Sequence, residues 1–215
     1  MVNGSSATVD SMEKRPGEAR VLRVSPLEGY DLWAEDYDAA VNPVVAMDRR
    51  YTLPVLSPAP NERILDAGCG TGANLEPLLQ AGAAPVGIDF SSAMLRVAHR
   101  RLPGVPLCVA DLQEPLPIAD ASFDAALCAL VGEHLDGINA VLAELRRVLK
   151  QGGRLVFSVY HPEMAAVGIE ANFERAGIEY RLGGQPYTLH DYLEAFAEAG
   201  FDGFAYREYR GDASL

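Results

Sequence analysis

The sequence predicts an α/β protein built on a doubly wound, mostly parallel sheet, and three observations carry that expectation. Short apolar runs alternate with segments of helical periodicity between Arg63 and Val159, the rhythm of repeated strand-helix-strand units. The first run leads at once into a glycine-rich turn, Asp66-Ala67-Gly68-Cys69-Gly70-Thr71-Gly72. Three successive runs finish on or beside an aspartate, Asp66, Asp89 and Asp111, at the carboxyl ends of strands where open parallel sheets place their ligands.

Taken in order, residues 1–25 mix Ser, Gly, Pro and alternating charge without an apolar period, so a flexible tail is expected there. Residues 26–60 are expected to form a helical lid. Its first part, Tyr30 to Asp38, is aromatic and acidic; Asn42-Pro43 is a helix-start signal, and Ser57-Pro58-Ala59-Pro60-Asn61 ends that helix after Leu56. The core is expected over 61–215, with an insertion at 161–187. Arg63 to Asp66 forms its first strand. Asn74 to Gln80 has the leucine spacing of a buried-face helix closed by Gly82.

Pro85 to Asp89 is the second strand, and Ser91 caps a helix with Met94, Leu95 and Ala98 on one face. Val105 to Ala110 and Phe123 to Leu130 are the third and fourth strands. Ile138, Val141, Leu142, Leu145 and Val148 fall at helical spacing, and Gln151-Gly152-Gly153 is expected to stop that helix before a fifth strand, Arg154 to Val159. A less regular stretch follows to about Gln185. Next come a helix carrying Leu189, Tyr192, Leu193, Phe196 and Ala197, and a sixth strand around Phe204 to Tyr209.

At 215 residues, 49% hydrophobic and 22% charged, the chain suits one main core. A formal charge of -12 opposes polyanions, which disfavours nucleic acid and leaves small or cationic ligands open. Cys69, Cys108 and Cys128 lack C-x-x-C spacing and lie in or beside apolar runs, as reduced, buried thiols of a cytoplasmic protein would. Neither a signal-peptide pattern nor an apolar run of membrane-spanning length occurs. No metal-ligand spacing is evident.

The glycine turn alone fits two cofactor classes, because Gly68-x-Gly70-x-x-Ala73 also satisfies the dinucleotide pattern. Asp66 separates them. A carboxylate there opposes a pyrophosphate, whereas S-adenosylmethionine offers a cationic amino group and sulfonium. Asp89 lies 23 positions further on, near the offset at which an acid reaches ribose hydroxyls. Asp111 can accept from an adenine amino group and the Leu112 amide can donate to a ring nitrogen. Phe90 and Met94 could cover the nucleoside, while Leu130, in Ala129-Leu130-Val131, would pass beneath the methionine portion. Each aspartate also has a structural alternative as a turn or loop cap, and Met94 an alternative as core filler.

These residues resemble the class I S-adenosylmethionine-dependent methyltransferases. The resemblance rests on Ile64 to Gly72, Gly87-Ile88-Asp89-Phe90-Ser91, Met94-Leu95, Ala110-Asp111-Leu112, Leu116-Pro117 with Phe123-Asp124, and Leu145 to Gly153. It covers roughly Tyr30 to Val159 and implies a Rossmann-like sheet, S-adenosyl-L-methionine as methyl donor and S-adenosyl-L-homocysteine as product. The implied cofactor set is Tyr30, Tyr37, Asp66, Ala67, Gly68, Cys69, Gly70, Asn74, Asp89, Phe90, Met94, Ala110, Asp111, Leu112 and Leu130. Tyr30 and Tyr37 match early lid positions of the family.

His134, just past the fourth strand, is the best-placed candidate for a general base; Glu133 or Tyr160-His161 are alternatives, and a purely structural His134 is equally compatible. The fourth-strand end lacks the Pro-Pro-aromatic pattern of nucleobase-amine methyltransferases, so a small-molecule acceptor is expected. Lid and insertion would form its pocket, with Phe173, Tyr180, Arg181 and Tyr187 as lining candidates. Two rivals stand beside methyl transfer: a non-catalytic S-adenosylmethionine-binding module and a nicotinamide-dependent oxidoreductase. Similar domains end with an antiparallel seventh strand that this sequence does not show, and an open sheet edge would favour a homodimer.

Overall fold

Strand β1 (Arg20–Arg23), helix α1 (Pro26–Trp33) and helix α2 (Pro43–Leu56) precede the alternating segment in the computed structural model, which describes residues 20–39 and 42–209. Asn42 caps α2 as expected, its side chain accepting from the Val44 amide at 2.9 Å, with Pro43 in the first turn. Then follow β2 (Arg63–Ala67), α3 (Leu75–Gln80), β3 (Ala84–Asp89), α4 (Ser92–Arg101), β4 (Leu107–Val109) and β5 (Phe123–Ala129). A short 3-10 turn (Gly132–His134) leads to α5 (Ile138–Val148) and β6 (Leu149–Ser158). Helix α6 (Pro162–Ala166), strands β7 (Asn172–Arg175) and β8 (Ile178–Arg181), and helix α7 (Leu189–Glu198) complete the order.

The sheet runs β4-β3-β2-β5-β6 with every pairing parallel. From β2 the chain steps outward to β3 and β4, then returns to β5 on the other side, so strand order reverses between β2 and β5. A crevice opens at that point, beyond the strands' carboxyl ends. Ile64, Leu65 and Ala67 of β2 and Ala125 to Cys128 of β5 are wholly buried, as central strands covered on both faces must be. Val141, Leu142, Leu145 and Val148 of α5 share the main core with Leu65, Ala126 and Cys128.

The structure alters several sequence-based expectations. Residues 1–19 of the expected tail lie outside the described residues, but its end is a strand: β1 pairs in parallel with β8, from Arg20↔Ile178 to Arg23↔Arg181. A tail of charge and Gly offers no apolar period, so this pairing depends on a partner far along the chain. The insertion is more regular than its composition suggests, because β7 and β8 form an antiparallel hairpin turned by Ala176 and Gly177, both at positive φ.

Helix α5 stops at Val148 and β6 starts directly at Leu149. The two glycines therefore sit inside the strand, where the register jumps from Phe123↔Leu149 to Ala125↔Arg154. Gly152 (φ +75) makes that bulge, and a Cβ on Gly153 would stand 3.0 Å from the Lys150 carbonyl. The third strand is shorter than expected and forms the sheet edge, which leaves Cys108 exposed while Cys69 and Cys128 are buried.

No strand forms at 204–209. Side chains hold this segment instead: Tyr209 stacks on Tyr51 at 3.7 Å, Glu208 meets His161 Nε2 at 2.7 Å, and Phe204 lies 5.9 Å from Phe196. Gly203 at φ +65 turns the chain just before it. No seventh strand occurs among the described residues.

Candidate functional site

A cleft open to solvent at its mouth lies beyond β2, β3, β4 and β5 under α1 and α2. Its floor is the turn after β2. Gly68, Gly70 and Gly72 all take positive φ there, at +81, +53 and +79, a conformation costly to residues with a Cβ. A Cβ on Gly68 would strike Val131 Cγ2 at 2.4 Å, whereas one on Gly70 would meet nothing within 4 Å. Gly68 brings the backbone against the end of β5, and Gly70 leaves open space above the turn.

The turn has few amides left to offer a ligand. Gly68 and Cys69 both donate to the Ile88 carbonyl at 2.8 and 2.9 Å, Gly70 donates to Asp89 Oδ2 at 2.8 Å, and Gly72 donates to the Cys69 carbonyl at 2.9 Å. A loop that cradles a pyrophosphate needs free N–H groups aimed at the anion. Here four of those groups are already paired, and the buried carboxylate of Asp89 sits on the turn.

Asp89 accepts from the Ser91 amide with Oδ1 at 2.8 Å and from Gly70 with Oδ2. Burial pushes its carboxyl up to about 6 although both amides favour the ionised form. Each oxygen keeps a lone pair for a further donor. Asp66 is fully buried and both its oxygens lack hydrogen-bond partners. Burial, reinforced by Asp89 and Asp48 and opposed by Arg49, raises it to about 7.

The lid closes the cleft from one side. Asp31 of α1 accepts from Ser91 Oγ at 2.6 Å and from the Ala93 amide at 3.3 Å, so its carboxylate sits on the N-terminus of α4, where negative charge is favoured. Tyr30 and Tyr37 pack on Met94, Ala93 and Ala34. The Tyr30 hydroxyl and His134 Nε2 are 3.0 Å apart. Burial lowers the His134 pKa to about 4 and holds Tyr30 well above the usual phenol value. His134 is therefore a neutral imidazole at ordinary pH, and its Nδ1 is buried without a partner.

Of the residues expected at the site, Tyr30, Tyr37, Gly68, Cys69, Gly70, Asn74, Asp89, Phe90, Met94, Ala110, Asp111, Leu112, Leu130 and His134 line this cleft. Ala67 and Asp66 do not. Their side chains point from the end of β2 into buried surroundings, so Asp66 acts on the cleft through its charge and not through contact. Asp111 is exposed and its Oδ1 accepts from the Gln113 amide at 3.0 Å. Leu130 adopts φ +55, a strained conformation for a side chain of this kind. Phe173 stacks on Trp33 on one side and on Tyr180 on the other, at 4.9 Å in each case. They pack the lid on the hairpin instead of lining a pocket.

The sequence reading missed Val45, Asp48 and Arg49, which line the cleft from α2. Arg49 Nε is buried without a partner. The signal was present, since positions 45, 48 and 49 share one helical face, but a charged pair on an amphipathic lid helix ordinarily faces solvent. No group of three or more potential metal ligands occurs among the described residues.

Residues 65–157 match a family model described as a methyltransferase domain. The demethylmenaquinone methyltransferase of Renibacterium salmoninarum is 35% identical over 158 residues, 71% of this chain and 63% of that protein. The chain thus spans less than two thirds of that relative. The demethylmenaquinone methyltransferase of Beutenbergia cavernae is 31% identical over 182 residues, 76% of this chain and 75% of its own length. Among solved structures, an S-adenosylmethionine-dependent methyltransferase from Mesorhizobium loti superposes with a TM-score of 0.57 at 24% identity, over 71% of this chain and 78% of that one. The cyclase SpnF superposes with a TM-score of 0.64 at 20% identity, over 85% and 75% of the two chains.

Proposed function

The chain belongs to the class I S-adenosylmethionine-dependent methyltransferases, and from that premise we propose that it transfers a methyl group from S-adenosylmethionine to a small-molecule acceptor. The observation that carries this reading is the pairing of the Gly68, Cys69, Gly70 and Gly72 amides within the fold, Gly70 to the carboxylate of Asp89, which leaves little of a pyrophosphate cradle. SpnF, a cyclase of the same fold, is a reminder that fold alone does not fix the reaction.

The residues fit the cofactor. Asp89, at the end of β3, would hold the ribose hydroxyls with the free lone pairs of its carboxylate. Asp111 and the Leu112 amide would take the adenine edge, and Phe90 with Met94 would cover its faces. Arg49 Nε, an orphaned buried donor, would meet the cofactor's carboxylate. The Asp66 charge would favour the cationic end through the turn. When bound, the cofactor supplies an electrophilic methyl group.

The chain's own residues then supply position and dryness, which account for much of the rate in an in-line displacement. Tyr30 and His134 form one wall and fix each other by their hydrogen bond. His134, neutral and of low basicity, orients the acceptor in this scheme. A homodimer through the open β6 edge is a separate proposal, checked by light scattering of the purified chain.

Incubating the full chain with methyl-labelled S-adenosylmethionine and a metabolite extract, followed by mass spectrometry, tests the function. Label should appear in a small molecule. Label in protein or nucleic acid would overturn the acceptor class, and tight cofactor binding without any labelled product would favour the non-catalytic module.

A further inference from the structure

A second cavity, partly open to solvent, lies behind the Gly132–His134 turn, between β6 and the insertion. The turn is the partition. His134 lines the cofactor cleft on one side and Glu133 lines the second cavity on the other. The insertion is tied to this partition by its backbone, through the bond from the Gln185 amide to the Glu133 carbonyl at 2.7 Å.

Glu133 Oε2 is buried and has no hydrogen-bond partner. Burial raises the hydroxyls of Tyr30 and Tyr37 on the cleft side and of Tyr160 and Tyr192 on the cavity side, and the Glu133 carboxylate is close enough to add to each rise. The two arginines lining the same cavity do not answer it. Arg23 Nη1 pairs with Glu170 at 3.2 Å, and Arg181 Nε pairs with Glu179 at 2.7 Å. What the cavity presents to an occupant near Glu133 is aromatic: Tyr187 donates its hydroxyl to the Asp136 carbonyl at 2.9 Å and sets its ring edge-on to Tyr192 at 5.5 Å.

A buried carboxylate with one oxygen lacking a donor, among tyrosine rings of a kind whose faces attract cations, in a chain of net charge -12 that draws cations from solution, defines a ligand by its charge. We propose that this cavity binds a small organic amine, and that Glu133 is the counter-ion of its ammonium group. Burial holds the Glu133 carboxyl near 7, so an ammonium ion beside it would restore its ionised form.

Tyramine and its uncharged analogue 4-ethylphenol are suitable probes, measured by calorimetry at pH 8 on the full chain saturated with S-adenosylhomocysteine. Tyramine is expected to bind roughly tenfold tighter than 4-ethylphenol, and Glu133→Gln to abolish that preference, as loss of a charged hydrogen bond would. Ala165→Phe, which fills the cavity from α6, should abolish binding of both probes. Should Glu133→Gln fail to fold, this second variant decides, because tyramine binding that survives it overturns the proposal. Equal affinity for both probes, preference for 4-ethylphenol, or no tyramine binding would also overturn it. S-adenosylhomocysteine binding in the same titrations separates the two levels, since its loss in the unsubstituted chain would instead sink the methyltransferase reading.

Discussion

The half of the molecule that carries the glycine turn and the half that carries the lid and hairpin are built by different means. From β2 to β6, each strand pairs with neighbours through parallel ladders, and each helix covers them with one apolar face. Around α1, the small sheet β1-β8-β7 is joined to the lid by aromatic stacking through Trp33 and by the close approach of Gly29 to Leu182, where an added Cβ would come within 2.5 Å. The first half is a rigid frame that fixes backbone and charge. The second is a cover held by side chains, which suits a surface that must admit ligands.

Changes in the frame should therefore cost or gain most, beginning with its buried charge. Asp66 is raised from 3.8 to about 7, so the folded state holds that proton more tightly than the unfolded chain. The stability this gives is complete below the unfolded value and is lost as pH rises through about 7. Asp66→Asn removes the loss. Urea unfolding at pH 8 should show the variant more stable by up to about 4 kcal/mol, with the difference vanishing towards pH 4, while affinity for S-adenosylmethionine falls. A variant less stable at pH 8 would break the assignment of strain to this carboxylate.

Next comes the turn itself. Gly68→Ala and Gly70→Ala should each lose on the order of 1 to 3 kcal/mol from positive φ, but only Gly68→Ala adds the Val131 clash, so it should be the less stable of the two. Thermal melts of the two variants should separate clearly; coincident melting would erase the distinction drawn between the two glycines. On the cover, Tyr30→Phe removes one hydrogen bond to His134, worth about 0.5 to 1.5 kcal/mol. Its imidazole, freed of that partner, should titrate with altered chemical shifts by NMR, and an unchanged His134 spectrum would contradict the pairing. The smallest effect should fall on Asp111→Ala, where an exposed cap is lost: stability should change by less than about 1 kcal/mol.

The same contrast explains what could be read from the sequence. Apolar runs, the glycine turn, Asn42-Pro43 and Ser91 report local rules, and the frame follows those rules. Ser91, for example, accepts from the Met94 amide at 3.1 Å as a helix cap should. Strand β1 and the hairpin escaped because Arg20–Arg23 is held by β8 at a separation no local pattern encodes. The expected strand at 204–209 failed for the converse reason: alternating aromatics suggest a strand, but no strand pairs with the backbone there. Among site residues, those on strand ends were legible. Arg49 and Asp48 were not, since only the docking of α2 over the cleft turns a charged helical face inward.

The central claim is that the paired turn and its carboxylates select an S-adenosyl cofactor over a dinucleotide. Isothermal titration of the full chain with S-adenosylhomocysteine and, separately, with NAD measures this directly. The account predicts one S-adenosylhomocysteine bound per chain, an affinity reduced roughly tenfold or more by Asp89→Ala, and no measurable binding of NAD. NAD binding as tight as that of S-adenosylhomocysteine, or an Asp89→Ala variant of undiminished affinity, would contradict it.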